Sequence, residues 1–484
     1  MTTGVEARKL PLVQPSRGRT PYVAAARGDV STLSERERAI RASFRVALVS
    51  MPFQWVRTPS IQLGLLSAVT ESHGFPTQTF HLTLEFASRV GLGVYEELST
   101  VRSMVMGDWF FSKEAFREEA PDQDARFLTD FAGEVAEQFG RDAPSGSPTL
   151  ALRTKLAALR IRDEVVPAFL NAMMSEIDWS RFQVVGFSSV FQQTVASMAL
   201  ARRIKEAFPH VRIVFGGSNF DDEMGLEHFR ATPWIDHAVV GEGDVALPEL
   251  LVALSEDKPT DRIPGVASRL GGDVVFGGKQ RLLEDLDQLP TPRYDEYFSR
   301  AESLGILPRT RVRPTPLPFE SARGCWWGEK HHCTFCGLND DGMRFRSKSP
   351  GRVAHELSEL ARSYGALTFT AVDNIVDARY LKELFPHFVE GGKDYKFFYE
   401  VKANLTREQI KALKQAGVIE IQPGIESLST RVLRLMRKGT TGIQNVNALR
   451  WVTYYGLSAG WNMLWGFPGE TAEDYAEQAR LVRS

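Results

Sequence analysis

The sequence predicts an α/β protein in two parts, a doubly wound parallel sheet followed by a partial βα barrel, and three observations predict it. Short apolar runs that end in small residues alternate with helical stretches between about residues 44 and 255. A second alternation of strand-like and helical segments fills residues 318–484. All three cysteines of the chain fall within one loop at the start of that second series.

At 484 residues there is room for two or three domains, each with its own core. An apolar share of 43% and a charged share of 24% are those of a globular protein. Net charge is −2 and no long basic run occurs, so nucleic acid is not the expected partner. No apolar stretch reaches the roughly 20 residues that span a bilayer, and no signal-peptide pattern opens the chain. The expectation is a cytoplasmic protein without a membrane partner, a compartment in which three reduced cysteines persist.

Residues 1–42 mix Arg, Ala, Pro and Ser without apolar periodicity and read as a mobile arm, with a short charged helix over 31–41. The first domain, 43–255, opens on the buried-strand run F-R-V-A-L-V-S-M at 44–51 and a helix over 61–72 that ends at Gly74. A second strand is expected at 77–82. Three more follow at 184–190 (V-V-G-F-S-S-V), 211–218 (V-R-I-V-F-G-G-S) and 237–244 (H-A-V-V-G-E-G-D), with a helix over 194–208. Such an alternation places a ligand crevice along the carboxyl ends of the strands, where Ser188, Ser189, Gly216, Gly217, Ser218, Glu242 and Gly243 fall. Small residues there let backbone approach a bulky ligand; the alternative is ordinary tight turns. An insertion at 91–181, with helical spacing in 113–139 and 150–177 around the loop D-A-P-S-G-S-P, covers the sheet and is assigned no chemistry. Residues 256–317 read as a linker, with a hairpin at 266–276 and a proline-punctuated crossing at 289–298.

In the second domain, 318–484, strands are expected at 319–322, 367–372, 396–401, 418–421 and 459–464. Helices are expected at 350–364, 378–388, 406–416, 429–437 and 443–455. Barrels of this kind carry their reactive groups beyond the carboxyl ends of the strands. Asp373, Asn374, Lys402, Asn404, Gln422 and Glu426 fall there, and Asn462 within the fifth strand. The barrel is incomplete at Ser484, and the chain reads as a shortened version of a longer protein.

The cysteines, Cys325, Cys333 and Cys336, form C-x7-C-x2-C, with Gly324 and Gly337 beside them. Three soft thiolates from one loop suit an iron-sulfur cluster or part of a zinc site, for which His331 and His332 supply a fourth ligand. A 4Fe-4S cluster on three cysteines leaves one iron open to a small molecule, whereas a structural zinc closes all four positions.

The spacing, set in R-G-C-W-W-G-E-K-H-H-C-T-F-C-G-L-N, resembles that of the radical S-adenosylmethionine (SAM) enzymes. It is more similar still to the cobalamin-dependent C-methyltransferases of that superfamily that mature ribosomally made peptides; the wider superfamily shows C-x3-C-x2-C. The ordered S-S, G-G-S and G-E-G-D turns resemble that family's Rossmann-like cobalamin-binding domain, and 256–317 its linker. The resemblance implies a 4Fe-4S cluster whose fourth iron SAM chelates, cobalamin on the first domain, a ribosomally synthesised precursor peptide as substrate, and an electron donor such as a flavodoxin or ferredoxin. It places the SAM amino group at Asp373 and Asn374 and the ribose at G-I-E-S, 424–427, which contains Glu426. Many cobalamin domains carry D-x-H-x-x-G after the first strand; here P-F-Q-W-V-R-T-P at 52–59 has no histidine, leaving Trp55 or Arg57 to cover the lower face of cobalt, or Trp55 to pack in the core. Two other activities stay open: a ring- or thioether-forming peptide enzyme, and a zinc-stapled binding module.

Overall fold

The computed structural model describes residues 28–100, 106–133, 155–308, 310, 313–337 and 343–483. Two compact units divide the chain, Met1–Leu283 with Gln288–Arg309, and Glu284–Asp287 with Thr310–Ser484. Among the described residues no helix is long and apolar enough to cross a membrane.

The first unit is built on a seven-stranded sheet in the order β2-β1-β3-β4-β5-β6-β7. Its centre is β1 (Val46–Ser50), buried throughout because helices cover both faces, which is why its sequence is a continuous apolar run rather than an alternation. β2 (Thr77–His81) pairs with it in parallel on one side and β3 (Val184–Ser188) on the other. β4 (Arg212–Gly216) and β5 (His237–Val239) continue the parallel order. The strand order therefore reverses between β1 and β3, and the crevice that such a reversal opens lies beyond their carboxyl ends. The helix Ile61–Ser72 begins where the Ser60 side chain accepts the Leu63 amide proton.

Three expectations need correction here. Residues 256–317 are not a free linker. β6 (Val266–Leu270) and β7 (Asp273–Phe276) form the expected hairpin, turning on Gly271 and Gly272 at φ 59° and 96°, but β6 also pairs antiparallel with β5 and so extends the sheet. The helix Asp295–Ser303 is tied to the same unit through Glu296, which binds His81 and its backbone amide. Nor does the N-terminal arm reach residue 42. Its expected helix runs Glu35–Ser43 behind a Ser34/Glu37 capping box, and Arg41 is buried, donating to His73 O at 3.0 Å with its guanidinium 5.6 Å from the Phe75 ring centre. Residues 1–27 lie outside the described set. Nor is there one helix over 113–139: the insertion is helical as Leu92–Thr100, Met106–Phe116, 155–160 and Val166–Glu176, but after Phe116 the chain turns through positive φ at Arg117, Asp122 and Ala125 before the short helix Phe127–Asp130; it buries the rings of Phe86, Phe110, Phe111 and Phe169. Its expected loop, 142–148, falls outside the described residues.

The second unit holds a five-stranded parallel sheet, β14-β13-β12-β11-β8, in which β8 is Leu317–Phe319, β11 Thr368–Ala371, β12 Lys396–Val401, β13 Val418–Pro423 and β14 Ser458–Ala459. The helices Pro350–Tyr364, Arg407–Gln415 and Gly442–Tyr454 alternate with the strands, and the expected helix over 378–388 is split into Tyr380–Glu383 and Phe385–Glu390. Side-chain alternation gives the sheet two different faces. Phe397 and Tyr399 pack on Phe388 and Phe385 of the covering helix. Thr370, Phe398, Glu400 and Gln422 point the other way and stay partly exposed, so the concave face of this open half-barrel is the polar one. The fifth expected strand, 459–464, shrinks to Ser458–Ala459 with a single bridge from Met463 to Glu426.

Candidate functional site

Between β8 and the helix Pro350–Tyr364 the chain leaves the sheet as a two-stranded antiparallel stem, β9 (Ala322–Arg323) with β10 (Arg346–Ser347), and the cysteines hang from that stem. Gly324 stands at φ 75°, and a side chain there would lie 2.2 Å from Arg344 O, so only glycine closes the stem. Cys325 N donates to Met343 O at 3.1 Å, and Gly328 N donates to Cys325 Sγ at 3.3 Å. The loop leans on the segment after β13: Trp327 Nε1 donates to Arg437 O, and Thr334 N to Met436 O. Gly439, at φ 70°, makes room for the Trp327 ring, which would lie 2.0 Å from an added Cβ.

All three thiols are free, and Cys333 is buried. Burial raises the Cys333 thiol, while Lys438 and Lys402 pull it down and the Cys336 and Cys325 thiols add to the rise, so the three sulfurs and two ammonium groups share one electrostatic neighbourhood. Two observations bear on a fourth, imidazole ligand. His331 lies against the Trp327 ring, centroids 4.2 Å apart, and His332 Nε2 is engaged with Cys336 O at 3.1 Å, so that nitrogen of His332 is already taken. Among the described residues no three His, Cys, Asp or Glu side chains converge as one ion demands. Thiols spread round a loop fit a multi-iron cluster, whose ligated irons stand apart.

The polar residues of the concave face gather beside this loop. Lys402 Nζ donates to Lys438 O at 2.8 Å and sits 3.4 Å from the Trp327 ring centre; burial, then the Lys438 charge, lowers it to about 8. Lys438 pairs with Glu426 at 2.9 Å, and Glu426 is held at φ 58°, a conformation that costs a non-glycine residue ~1 kcal/mol or more. Glu400, in register with Gln422, is raised to about 7 by burial and then by Glu426. The sequence reading missed Glu400 and Lys438, yet Glu400 is the only charged residue inside the run F-F-Y-E-V of β12. An alternation of ammonium and carboxylate groups on one face is suited to a zwitterion.

Asp373 does not join this face. It is 1% exposed, and its oxygens accept from Ser321 N at 2.7 Å, from the Ser321 hydroxyl and from the Ala322 amide. It anchors the root of the cysteine stem and has no room to meet the amino group expected of it. Asn374 is partly exposed next to it, while Asn404 and Asn462 are exposed.

In the first unit, the crevice residues divide likewise. Ser189 is fully buried: its amide donates to Gly216 O at 2.8 Å, its carbonyl accepts from Asn219 N, and its hydroxyl meets Thr194 at 3.0 Å. Gly217, at φ 97° and ψ 175°, lies so close that an added Cβ would stand 2.5 Å from Ser189 O. These two weld the β3 and β4 turns together rather than meeting a ligand. Ser188, Gly216, Glu242 and Gly243 are partly exposed and Ser218 is exposed. Trp55 is 55% exposed, which rejects the core-packing alternative, and Phe191, which the sequence reading passed over, is 60% exposed on the loop after β3. Two open aromatic surfaces on the loops that follow β1 and β3 fit a large flat ligand. The nearby His81 offers no ring nitrogen: Nε2 accepts from Ser60 N at 3.1 Å, and Nδ1 donates to Glu296.

Residues 319–482 match the family model of the radical SAM superfamily. An uncharacterised methyltransferase of Pyrococcus horikoshii is 28% identical over 309 residues, covering 62% of this chain and 64% of that relative. The cobalamin-dependent radical SAM methyltransferase TokK of Streptomyces tokunonensis is 31% identical over 206 residues, covering 40% and 28% respectively. Among solved structures, the cobalamin-dependent SAM radical enzyme OxsB with aqua-cobalamin and SAM bound superposes with a TM-score of 0.60 at 16% identity, over 92% of this chain and 52% of that one. The α/β fold is thus shared with cobalamin-dependent radical SAM enzymes. The chain spans under two thirds of the length of each of these three proteins.

Proposed function

We propose that this chain belongs to a cobalamin-dependent radical SAM methyltransferase that acts on an unactivated carbon of a ribosomally made peptide. The observation that carries the proposal is the loop of three free thiols, held beside a zwitterion-suited polar face at the carboxyl edge of a βα sheet. Cys325, Cys333 and Cys336 would hold a 4Fe-4S cluster, and Lys402, Gln422, Glu426 and Glu400 would surround SAM. Cobalamin would lie at the β1/β3 reversal against Trp55 and Phe191. When bound, and supplied with electrons by an external one-electron donor, these groups would supply what side chains lack: reductive cleavage of one SAM to methionine and, with a hydrogen from substrate, deoxyadenosine, and transfer of the methyl group of a second, which would leave as S-adenosylhomocysteine.

The protein's own part is placement. Lys402 and Lys438 present cations to a carboxylate, Glu426 accepts from an ammonium or a ribose diol, and the buried aromatic face behind β12 keeps these groups rigid. An aliphatic peptide carbon yields no carbanion at neutral pH, which is why the radical route is the fitting one. The peptide substrate rests on the C-x7-C-x2-C wording. The protein, reconstituted anaerobically with all three cofactors and a reductant and given the precursor peptide encoded beside its gene, should yield peptide heavier by one methylene unit, with one deoxyadenosine and one S-adenosylhomocysteine per methyl. Deoxyadenosine with a peptide of unchanged mass, or lighter by two hydrogens, would reject methyl transfer in favour of ring formation.

A further inference from the structure

A cleft of about 590 Å³ opens on the outer side of the cysteine loop, between that loop and the segment 433–440. Its wall includes Gly328, whose amide donates directly to Cys325 Sγ, so the cleft lies one residue from a cluster ligand. Lys330, Arg434 and Arg437 carry exposed cations on its rim, His331 adds an imidazole, and among the described residues Glu329 is the only carboxylate on the lining. Among the described residues none of those three cations has a carboxylate within ion-pair distance. At the floor Thr440 is 5% exposed, and its hydroxyl, buried, has no hydrogen-bond partner among the described residues. A buried hydroxyl without a partner costs free energy that an incoming acceptor recovers, and unpaired cations around it select a negative one.

We propose that this cleft seats the acidic surface of a one-electron carrier protein, with a carboxylate of the carrier entering between Arg434 and Arg437 to meet Thr440. The proposal rests on the cluster reading above. The electron balance is simple: the carrier is oxidised by one electron, the group held by the cysteines is reduced by one, and no atom moves. A small reductant needs no such seat. A protein carrier does, because its redox group must come within a short distance of the sulfurs, and this cleft is walled by the cysteine loop itself, from Trp327 to His332.

The experiment measures binding of a recombinant flavodoxin to the anaerobically reconstituted protein, in parallel with reduction of the cluster by dithionite followed by electron paramagnetic resonance. The double variant Arg434→Glu/Arg437→Glu should bind flavodoxin about tenfold or more weakly and lose most of the salt dependence of association, while dithionite still reduces its cluster fully. Equal affinity and equal salt dependence in the variant would overturn the docking assignment and leave the cluster standing. A wild-type protein with no dithionite-reducible cluster would instead sink the cluster reading and this one with it. If the double variant loses its cluster, Lys330→Glu decides: slower association at low salt upholds the seat, and an unchanged rate overturns it.

Discussion

Gly217→Ala is the sharpest test of how the first unit holds its crevice open. With φ 97° and ψ 175°, Gly217 occupies a region that is almost closed to residues with a Cβ, which costs ~1–3 kcal/mol. The added methyl would stand 2.5 Å from Ser189 O and 2.8 Å from Ser189 N, a backbone clash that overpacking values put at ~1–3 kcal/mol. The two costs overlap, because displacing the β3 turn relieves both, so about 3 kcal/mol is the expected loss, equivalent to roughly a hundredfold in a local opening equilibrium. Hydrogen exchange reads this directly, since the Ser189 amide is bonded to Gly216 O at 2.8 Å and the Asn219 amide to Ser189 O at 3.1 Å. Both amides should lose about a hundredfold in protection. Gly216→Ala is the control: its Cβ would meet Val239 O at 3.5 Å, an ordinary contact, and the two amides should keep their protection. Equal protection in the two variants would refute the view that Ser189 and Gly217 serve the turn rather than a ligand. Hydroxocobalamin titration then separates the roles, because a methyl at Gly216 should weaken binding only if backbone approaches the ligand there.

Three further outcomes follow from the geometry. Replacing any one of Cys325, Cys333 and Cys336 by Ser should abolish the brown colour and the content of about four irons per chain that anaerobic reconstitution gives, and stoichiometric zinc in the wild type would contradict it. Bound cob(II)alamin should show no nitrogen splitting from a protein imidazole, because residues 52–59 contain no histidine and both nitrogens of His81 are engaged; splitting that vanishes on labelling the protein's histidines would contradict this. Burial raises Asp373 from 3.8 to about 7, so the native state holds a proton that the unfolded chain releases, and its favourable contribution is complete below about pH 4 and lost as pH rises through 7. Asp373→Asn should therefore lessen the fall in denaturation midpoint between about pH 5 and about pH 8, and a variant as pH-sensitive as the wild type would show that another group titrates there.

What the sequence revealed and what it hid divide along a physical line. β12 and the helices Ile61–Ser72 and Pro350–Tyr364 were legible to the residue, because period-2 and period-3.6 patterns and caps are local signals. The hairpin at β6 and β7 was legible too, but its membership of the sheet was not, since the pairing of β6 with β5 joins residues about thirty apart and leaves no mark on either strand. The same limit explains the site. Cys325, Cys333 and Cys336 announced themselves because three ligands within one loop are a local pattern. Asp373 and Ser189 looked like ligand contacts because polar residues after strands usually face outward, and only the fold shows that Ser321 and Gly216 have already taken their hydrogen bonds. Glu400 went unseen for the converse reason: one carboxylate in an aromatic strand has no motif, and what gives it interest is Glu426, twenty-six residues later, on the neighbouring turn. A strand residue and the turn residue that raises its proton affinity on an open polar face form a pair only in three dimensions, so motif-based reasoning recovers the cofactor's covalent anchor well before the side chains that orient what the anchor activates.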